Sequence, residues 1–131
     1  MDKPLGAKHF EPLEKGIHIL IDMYNVKNIP EMTDAKLLES FCESKVLESG
    51  LTQVGKLFYK FPGENSGITG AIIISESHAT FHSWPELNYV TIDVFVCNVQ
   101  NDNRLKARML AQSFIDLFQP EHKVYQEIER N

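Results

Sequence analysis

The sequence is poor in cysteine and has no long hydrophobic run. Its two cysteines, Cys42 and Cys97, lack the short fixed spacing of zinc ligands, so we predict reduced thiols and no metal site. No stretch reaches the roughly 18 consecutive apolar residues of a transmembrane helix. Segment 1–14 is polar and lacks the apolar centre of a signal peptide. Together these absences predict a cytoplasmic protein that does not contact a membrane.

A basic surface and a phosphate-binding loop are missing as well. The net charge of −5 is opposite in sign to the surface that nucleic acids need. Residues 67–70 contain two glycines but lead into a predicted strand rather than a helix, so they do not form a phosphate-binding loop. The hydrophobic share of 43% and charged share of 24% are typical of a soluble globular protein, and we predict a single domain over 1–131.

Apolar spacing predicts a strand, a helix, four strands, a second helix and a final edge strand. The first helix is expected between Asp34, an N-cap, and Gly50, a stop signal, with Cys42 in its buried stripe. The second helix is expected over 101–118. The strands are expected at 17–23, 54–61, 68–76, 78–84, 88–97 and 122–128. This order predicts an α+β fold: a two-layer sandwich of mostly antiparallel sheet with two main helices packed on one face.

Polar residues interrupt the most strand-like part of the chain. Strand alternation predicts that His78 and His82 share one sheet face, and that Cys97 lies on the corresponding face of the next strand. The opposite face of that next strand is aliphatic and is expected to pack against the helices. Two histidines and a cysteine on one face can supply a thiol with a nearby base. A Cys-His hydrolase has no evident third orienting group here, and His78 taken alone is typical of a structural histidine.

The run SESHATFHSWPE at 75–86, with Asp93 and Cys97 at their offsets, resembles the short bacterial and archaeal S-adenosylmethionine decarboxylases. These are self-cleaving enzymes that use a pyruvoyl group. The resemblance is dense over 67–97 and looser over 16–24. It implies that the Glu76–Ser77 peptide is the processing site and that the precursor, a zymogen, splits into a β chain, 1–76, and an α chain, 77–131.

The same resemblance implies the processing roles. Ser77 Oγ would attack the carbonyl of Glu76 to give an ester, and β-elimination followed by loss of ammonia would leave a pyruvoyl group on 77–131. The position of His82 implies that it assists proton transfer in this processing. Thr69, where the family usually has serine, would help to hold the intermediate.

The resemblance also implies how substrate is bound and decarboxylated. The pyruvoyl group derived from Ser77 would form a Schiff base with the substrate amine and act as an electron sink, so neither pyridoxal phosphate nor a metal is required. Cys97 would be the proton donor after carbon dioxide leaves. Glu86 would hydrogen-bond the ribose hydroxyls, and Phe61 and Trp84 would pack against the adenosyl group.

Three segments depart from the family pattern. Family members usually carry Phe-x-Pro-x-Gly where this chain has the loop 61–67, close to the expected substrate. The segment 98–103 has no evident family match, and the chain ends at 126–131 without the Arg-Gly expected there. These departures leave the processing chemistry intact and bear on substrate identity.

We therefore predict a homodimeric carboxy-lyase that decarboxylates S-adenosylmethionine for spermidine and polyamine synthesis. Pairing of protomers is implied by the resemblance, and a sheet with helices on one face leaves a second face for a partner. One alternative is a pyruvoyl-dependent decarboxylase of ornithine or arginine. Another is a non-catalytic homologue that regulates a catalytic partner. Activation by a diamine stays open at this point.

Overall fold

A computed structural model describes residues 15–98 and 101–130. Six strands form one sheet in the order β2-β3-β4-β5-β1-β6, and every neighbouring pair is antiparallel. The strands are β1 (Gly16–Tyr24), β2 (Gln53–Lys60), β3 (Ile68–Ile74), β4 (Ser77–Trp84), β5 (Tyr89–Val96) and β6 (His122–Arg130). The helices are α1 (Ala35–Glu48) and α2 (Arg104–Phe118), with short 3-10 turns at Pro30–Met32 and Pro85–Leu87. The predicted α+β class is confirmed.

Local signals in the sequence set most of these boundaries. The Asp34 carboxylate accepts hydrogen bonds from the amides of Lys36 and Leu37, so it caps α1 as predicted. Gly50 follows the helix with φ of +84°, a conformation that glycine adopts without strain. The prediction was wrong at the hairpin before β4, where β3 ends at Ile74 rather than at residue 76 because Ser75 and Glu76 form the turn.

The face of the sheet that carries the helices is the hydrophobic core. Alternate residues of each strand point to this face, and those of β1 and β5 are almost completely buried, as the aliphatic pattern of β5 predicts. The core residues of these two strands are Ile17, Ile19, Ile21, Met23, Val90, Ile92, Val94 and Val96. From α2, Leu110, Phe114 and Phe118 complete this core, and Leu117 is half-buried beside it. Burial raises the pKa of the Cys42 thiol to about 12, which makes this cysteine a core residue rather than a reactive one.

The other face of the sheet, hereafter the open face, has no helix on it in the described ranges. It is formed by the alternate residues, among them His18, Tyr24, Ile73, His78, His82, Trp84, Tyr89 and Phe95. Several of its large hydrophobic side chains are accessible, including Ile73 at 48% and Trp84 at 37%. Accessible hydrophobic side chains gathered on one sheet face make it a candidate interaction surface. No helix within the described residues is long and apolar enough to cross a bilayer.

Candidate active site

The turn between β3 and β4 carries the predicted cleavage site. Ile74 pairs with Ser77 across the hairpin, so Ser75 and Glu76 are its only loop residues. Glu76 has φ of +56°, in the left-handed region that residues other than glycine and asparagine rarely adopt. Backbone strain of this kind is typical of functional sites and costs on the order of 1–3 kcal/mol. Here the strained residue is Glu76, whose carbonyl group forms the peptide bond to Ser77.

Ser77 contacts Cys97 at one end of the sheet. Because β4 and β5 are antiparallel, the start of β4 lies beside the end of β5, with His78 opposite Phe95. The backbone N–H of Cys97 donates to Ser77 Oγ at 3.4 Å. Ser77 is buried on the core side of the sheet, and Cys97 is a half-buried free thiol one residue beyond β5. Burial still alternates here, with Val96 and Asn98 buried and Cys97 half-buried between them, which is consistent with the predicted grouping of Cys97 with the histidines.

His82 and Thr69 form a second cluster on the open face. They are directly opposite each other on β3 and β4. Thr69 Oγ1 and His82 Nδ1 are 3.0 Å apart and share a hydrogen bond. A hydroxyl next to an imidazole is a combination suited to moving a proton or holding an oxyanion.

The two clusters are separated within one chain. His82 lies five residues after Ser77 on the same strand, which at the strand rise of about 3.3 Å per residue places them roughly 16 Å apart. An odd separation also puts their side chains on opposite faces of the sheet. One copy of the chain therefore brings Ser77 to Cys97 and His82 to Thr69, and does not bring Ser77 to His82.

A cavity of about 480 Å³ adjoins the Thr69–His82 pair. All three predicted substrate-binding residues, Phe61, Trp84 and Glu86, line it together with Thr69 and His82. The lining is completed by Asn65, Ser66, Gly67 and Ser83. This volume is within the range of small-molecule sites, and aromatic walls with a few polar groups are typical of them.

The loop 61–67 is held in place by Lys60, whose role the sequence did not predict. Lys60 Nζ donates to the carbonyl oxygens of Gly63 and Ser66, both at 2.8 Å. Gly67 has no room for a side chain, because an added Cβ would lie 2.0 Å from the carbonyl oxygen of Ser83. The loop that departs from the family pattern is thus a fixed wall of the cavity. Its turn-forming composition was the only signal for this in the sequence.

Aromatic rings extend from the cavity across the open face. Trp84 contacts Tyr89 with ring centroids 5.2 Å apart, and Tyr89 contacts Tyr24 at 5.0 Å. Burial, followed by the nearby Asp22 carboxylate, raises the pKa of Tyr89 to about 12, so its hydroxyl stays protonated. The sequence did not predict this arrangement of the two tyrosines, because they are 65 residues apart and meet only through the pairing of β1 with β5.

A third cluster on the open face contains His18 of β1 and His78 of β4. His18 Nε2 is 3.3 Å from Asp93 Oδ2, and the rings of His18 and His78 are 6.0 Å apart. Burial, and secondly the neighbouring His18, lower the pKa of His78. No group of three side chains suited to a metal ion occurs within 15–98 and 101–130.

Comparison with known proteins identifies close similarities over most of the chain. A family model described as S-adenosylmethionine decarboxylase matches residues 17–131. An S-adenosylmethionine decarboxylase proenzyme from Archaeoglobus fulgidus is 32% identical over 106 residues, 81% of this chain and 88% of the relative. A proenzyme of the same name from Picrophilus torridus is 31% identical over 121 residues, 88% and 83% of the two chains. The crystal structure of the adenosylmethionine decarboxylase from Aquifex aeolicus superposes with a TM-score of 0.77 at 27% identity, covering 90% of this chain and 92% of that one.

Proposed function

Since the chain belongs to the S-adenosylmethionine decarboxylase family, we propose that it is a self-cleaving carboxy-lyase that acts on S-adenosylmethionine. The observation that carries this proposal is the gathering of Phe61, Trp84 and Glu86 around one cavity with Thr69 and His82. An adenosyl group offers a flat base for the aromatic rings and ribose hydroxyls for the carboxylate. The product would enter spermidine synthesis.

Self-cleavage starts from the strained hairpin. Ser77 Oγ attacks the carbonyl carbon of Glu76, so that a C–O ester bond forms, the C–N peptide bond breaks and the amine of Ser77 is released. Loss of the Ser77 α-proton then expels the Glu76 carboxylate and leaves a double bond at residue 77. Water replaces the nitrogen as ammonia, which gives the pyruvoyl group. The left-handed Glu76 and the contact of Ser77 with Cys97 support this assignment.

The residues around Ser77 suit a pyruvoyl group. Ser77 provides the three carbon atoms of the group, its Oγ leaves with the Glu76 carboxylate, and the new keto oxygen comes from water. In the precursor the backbone of Cys97 contacts Ser77, and Cys97 carries a free thiol. Once formed, the group supplies an electron sink for decarboxylation. Cys97 donates the proton that Cα needs after carbon dioxide leaves, and the aromatic side chains of the cavity hold the substrate and limit access of water.

We infer that a complete site needs two copies of the chain. The processing and decarboxylation groups lie in two clusters roughly 16 Å apart by strand rise, on opposite faces of β4. Ser77 is on the core side, so a second copy packed on the apolar open face would reach it at the end of the sheet where β4 begins. There it would supply its Thr69, His82 and cavity to Ser77 and Cys97 of the first copy. Closed two-fold pairing is the commonest form of such an assembly.

The test is incubation of the purified protein with S-adenosylmethionine, ornithine or arginine, with carbon dioxide release measured for each. We expect carbon dioxide from S-adenosylmethionine alone, and intact-mass spectrometry should show fragments 1–76 and 77–131. Release from ornithine or arginine alone contradicts the proposed substrate; nothing in the site or in the relatives named above favours it. A single uncleaved 15.0 kDa species after long incubation contradicts the proposal that the chain is a self-cleaving enzyme and supports a non-catalytic regulatory homologue.

A further inference from the structure

The segment that follows Cys97, which has no evident family match, contains a buried asparagine. The Asn98 side chain is completely buried. Its Nδ2 donates to the carbonyl oxygen of Lys15 at 2.9 Å, and its Oδ1 accepts from the backbone N–H of Asn103 at 2.8 Å. Asn98 therefore joins the chain just before β1 to the start of α2. A buried amide with both ends bonded fixes its neighbours, because breaking either bond leaves an unsatisfied polar group.

Asn103, one of the two partners of the Asn98 side chain, also bonds to Cys97. Its Nδ2 donates to the carbonyl oxygen of Cys97 at 2.9 Å. The N–H of Cys97 is already bonded to Ser77 Oγ, so both backbone polar groups of Cys97 are engaged. One of these bonds joins Cys97 to Ser77 at the predicted cleavage site, and the other joins it to Asn103 at the N-terminus of α2.

The side chain of Asn103 does not perform its usual task. Asn103 is the N-cap of α2, a position where asparagine normally accepts a hydrogen bond from the first turn, worth about 1 kcal/mol. Here it makes no such bond. Asp102, one residue earlier, accepts from the backbone N–H of Arg104 at 3.1 Å instead. The side-chain amide of Asn103 thus binds the carbonyl oxygen of Cys97 and does not cap α2.

We propose that Asn98 and Asn103 are positioning residues that fix Cys97 against residue 77 and thereby direct its proton to Cα of the decarboxylated substrate. This inference rests on the proposed function. If Cys97 is displaced, the proton reaches the carbon of the pyruvoyl-derived group instead. Hydrolysis by water then releases an aldehyde, while the substrate nitrogen stays on residue 77 as an amine, and that chain is inactive.

Asn103→Asp separates positioning from folding. Aspartate is an equally good N-cap and a negative charge suits a helix N-terminus, but it places an acceptor, not a donor, against the Cys97 carbonyl oxygen. We expect the melting temperature to be unchanged or higher. The fraction of turnovers that end in aldehyde should rise roughly 10- to 100-fold, the range expected when a reacting group is misplaced.

The experiment measures three species: decarboxylated product, aldehyde and the 77–131 fragment with an amine at its N-terminus. Only fully cleaved protein is used, so that a slower self-cleavage of a variant does not alter the result. Ser49→Ala is the control, since it also removes a buried side-chain bond, to the carbonyl oxygen of Val46 at 2.9 Å, but one that involves neither Cys97 nor the two asparagines. The inference is overturned if Asn103→Asp divides its turnovers between decarboxylated product and aldehyde as the wild type does. It is also overturned if the aldehyde fraction rises equally in Ser49→Ala. A wild-type protein that neither cleaves nor releases carbon dioxide overturns the proposed function instead.

Discussion

Ser77 and His82 lie on the same strand but on opposite faces of the sheet. Ser77 is buried on the core side in contact with Cys97, whereas His82 is on the open face, hydrogen-bonded to Thr69. The two predicted processing residues therefore do not meet within one chain. Together with the uncovered open face, this relationship makes the proposed pairing of two copies testable.

Mixed dimers should restore self-cleavage. Alone, Ser77→Ala should never cleave, because it lacks the attacking hydroxyl, and His82→Ala should cleave slowly. In a mixture that is co-expressed or refolded together, Ser77 of the His82→Ala chain meets His82 of the Ser77→Ala chain. We expect the His82→Ala chain to be split at a much higher rate, as measured by intact mass. No gain over the separate variants contradicts a site shared between copies.

Glu76→Gly should slow self-cleavage without destabilising the fold. Glycine adopts φ of +56° freely, so the strain stored beside the attacked carbonyl is lost, and stability should rise by up to about 1 kcal/mol. Glu76→Gln keeps the strain and should cleave at the wild-type rate. Gln119→Gly, at another left-handed position with φ of +43°, should raise stability and leave cleavage unchanged. Equal cleavage rates in all four proteins would show that strain has no role.

Cys97→Ala should still cleave itself but lose most of its turnover. General acids contribute about 10²- to 10⁴-fold, so a comparable loss of kcat is expected, with aldehyde as a side product. Cys42→Ala is the natural comparison, because that thiol is buried in the core and should affect melting temperature more than kcat. Wild-type kcat in Cys97→Ala removes Cys97 from the mechanism.

Trp84→Ala and Phe61→Ala should each weaken substrate binding more than they reduce kcat. Stacking of a base on an aromatic side chain is worth about 1–3 kcal/mol, which corresponds to a roughly 5- to 150-fold rise in KM. Leu47→Ala, an exposed change on α1, should leave KM unaltered. Steady-state kinetics with S-adenosylmethionine checks this, and an unchanged KM in both variants would place the adenosyl group elsewhere.

Stability should fall as the pH drops below the ordinary histidine pKa of 6.5 because of His78. Its pKa is lowered in the folded protein, first by burial and then by His18, so the unfolded chain binds more protons between the two values. The contribution of His78 to folding stability is complete above pH 6.5. It is lost as the pH falls towards the lower pKa that His78 has in the folded protein. His78→Gln should flatten the dependence of melting temperature on pH in this window, and an unchanged dependence would contradict the prediction.

Most of the fold followed from local sequence signals. Alternation located the core face of β5, and Asp34 and Gly50 marked the ends of α1, since these patterns act over a few residues. The start of α2 was expected at 101 but is at Arg104. Before this helix, Asn98 and Asn103 bond to each other, to Lys15 and to Cys97, and helical spacing in the sequence does not reveal these partners.

The candidate site was predictable only in part. A run of twelve residues contains Glu76, Ser77, His82, Trp84 and Glu86, and strand alternation grouped His82 with Cys97. The roles of these residues, and those of Thr69 and Phe61, came from the resemblance. Their roles stay predictions until the variants are measured. Lys60, Tyr89, Asn98 and Asn103 were not predicted, because a lysine or an asparagine acquires such a role only through partners that are distant in sequence or across a turn.

By itself the sequence determined most of the secondary structure, indicated the family and named the candidate reactive side chains, because spacing along a strand or helix and a contiguous motif are local properties. Only the tertiary structure decided which of those side chains meet. Antiparallel pairing brings Cys97 to Ser77, and the odd separation on one strand sends Ser77 and His82 to opposite faces of the sheet. Strand register and sheet order, set by packing of the whole core, are therefore what divides the candidate site into two halves.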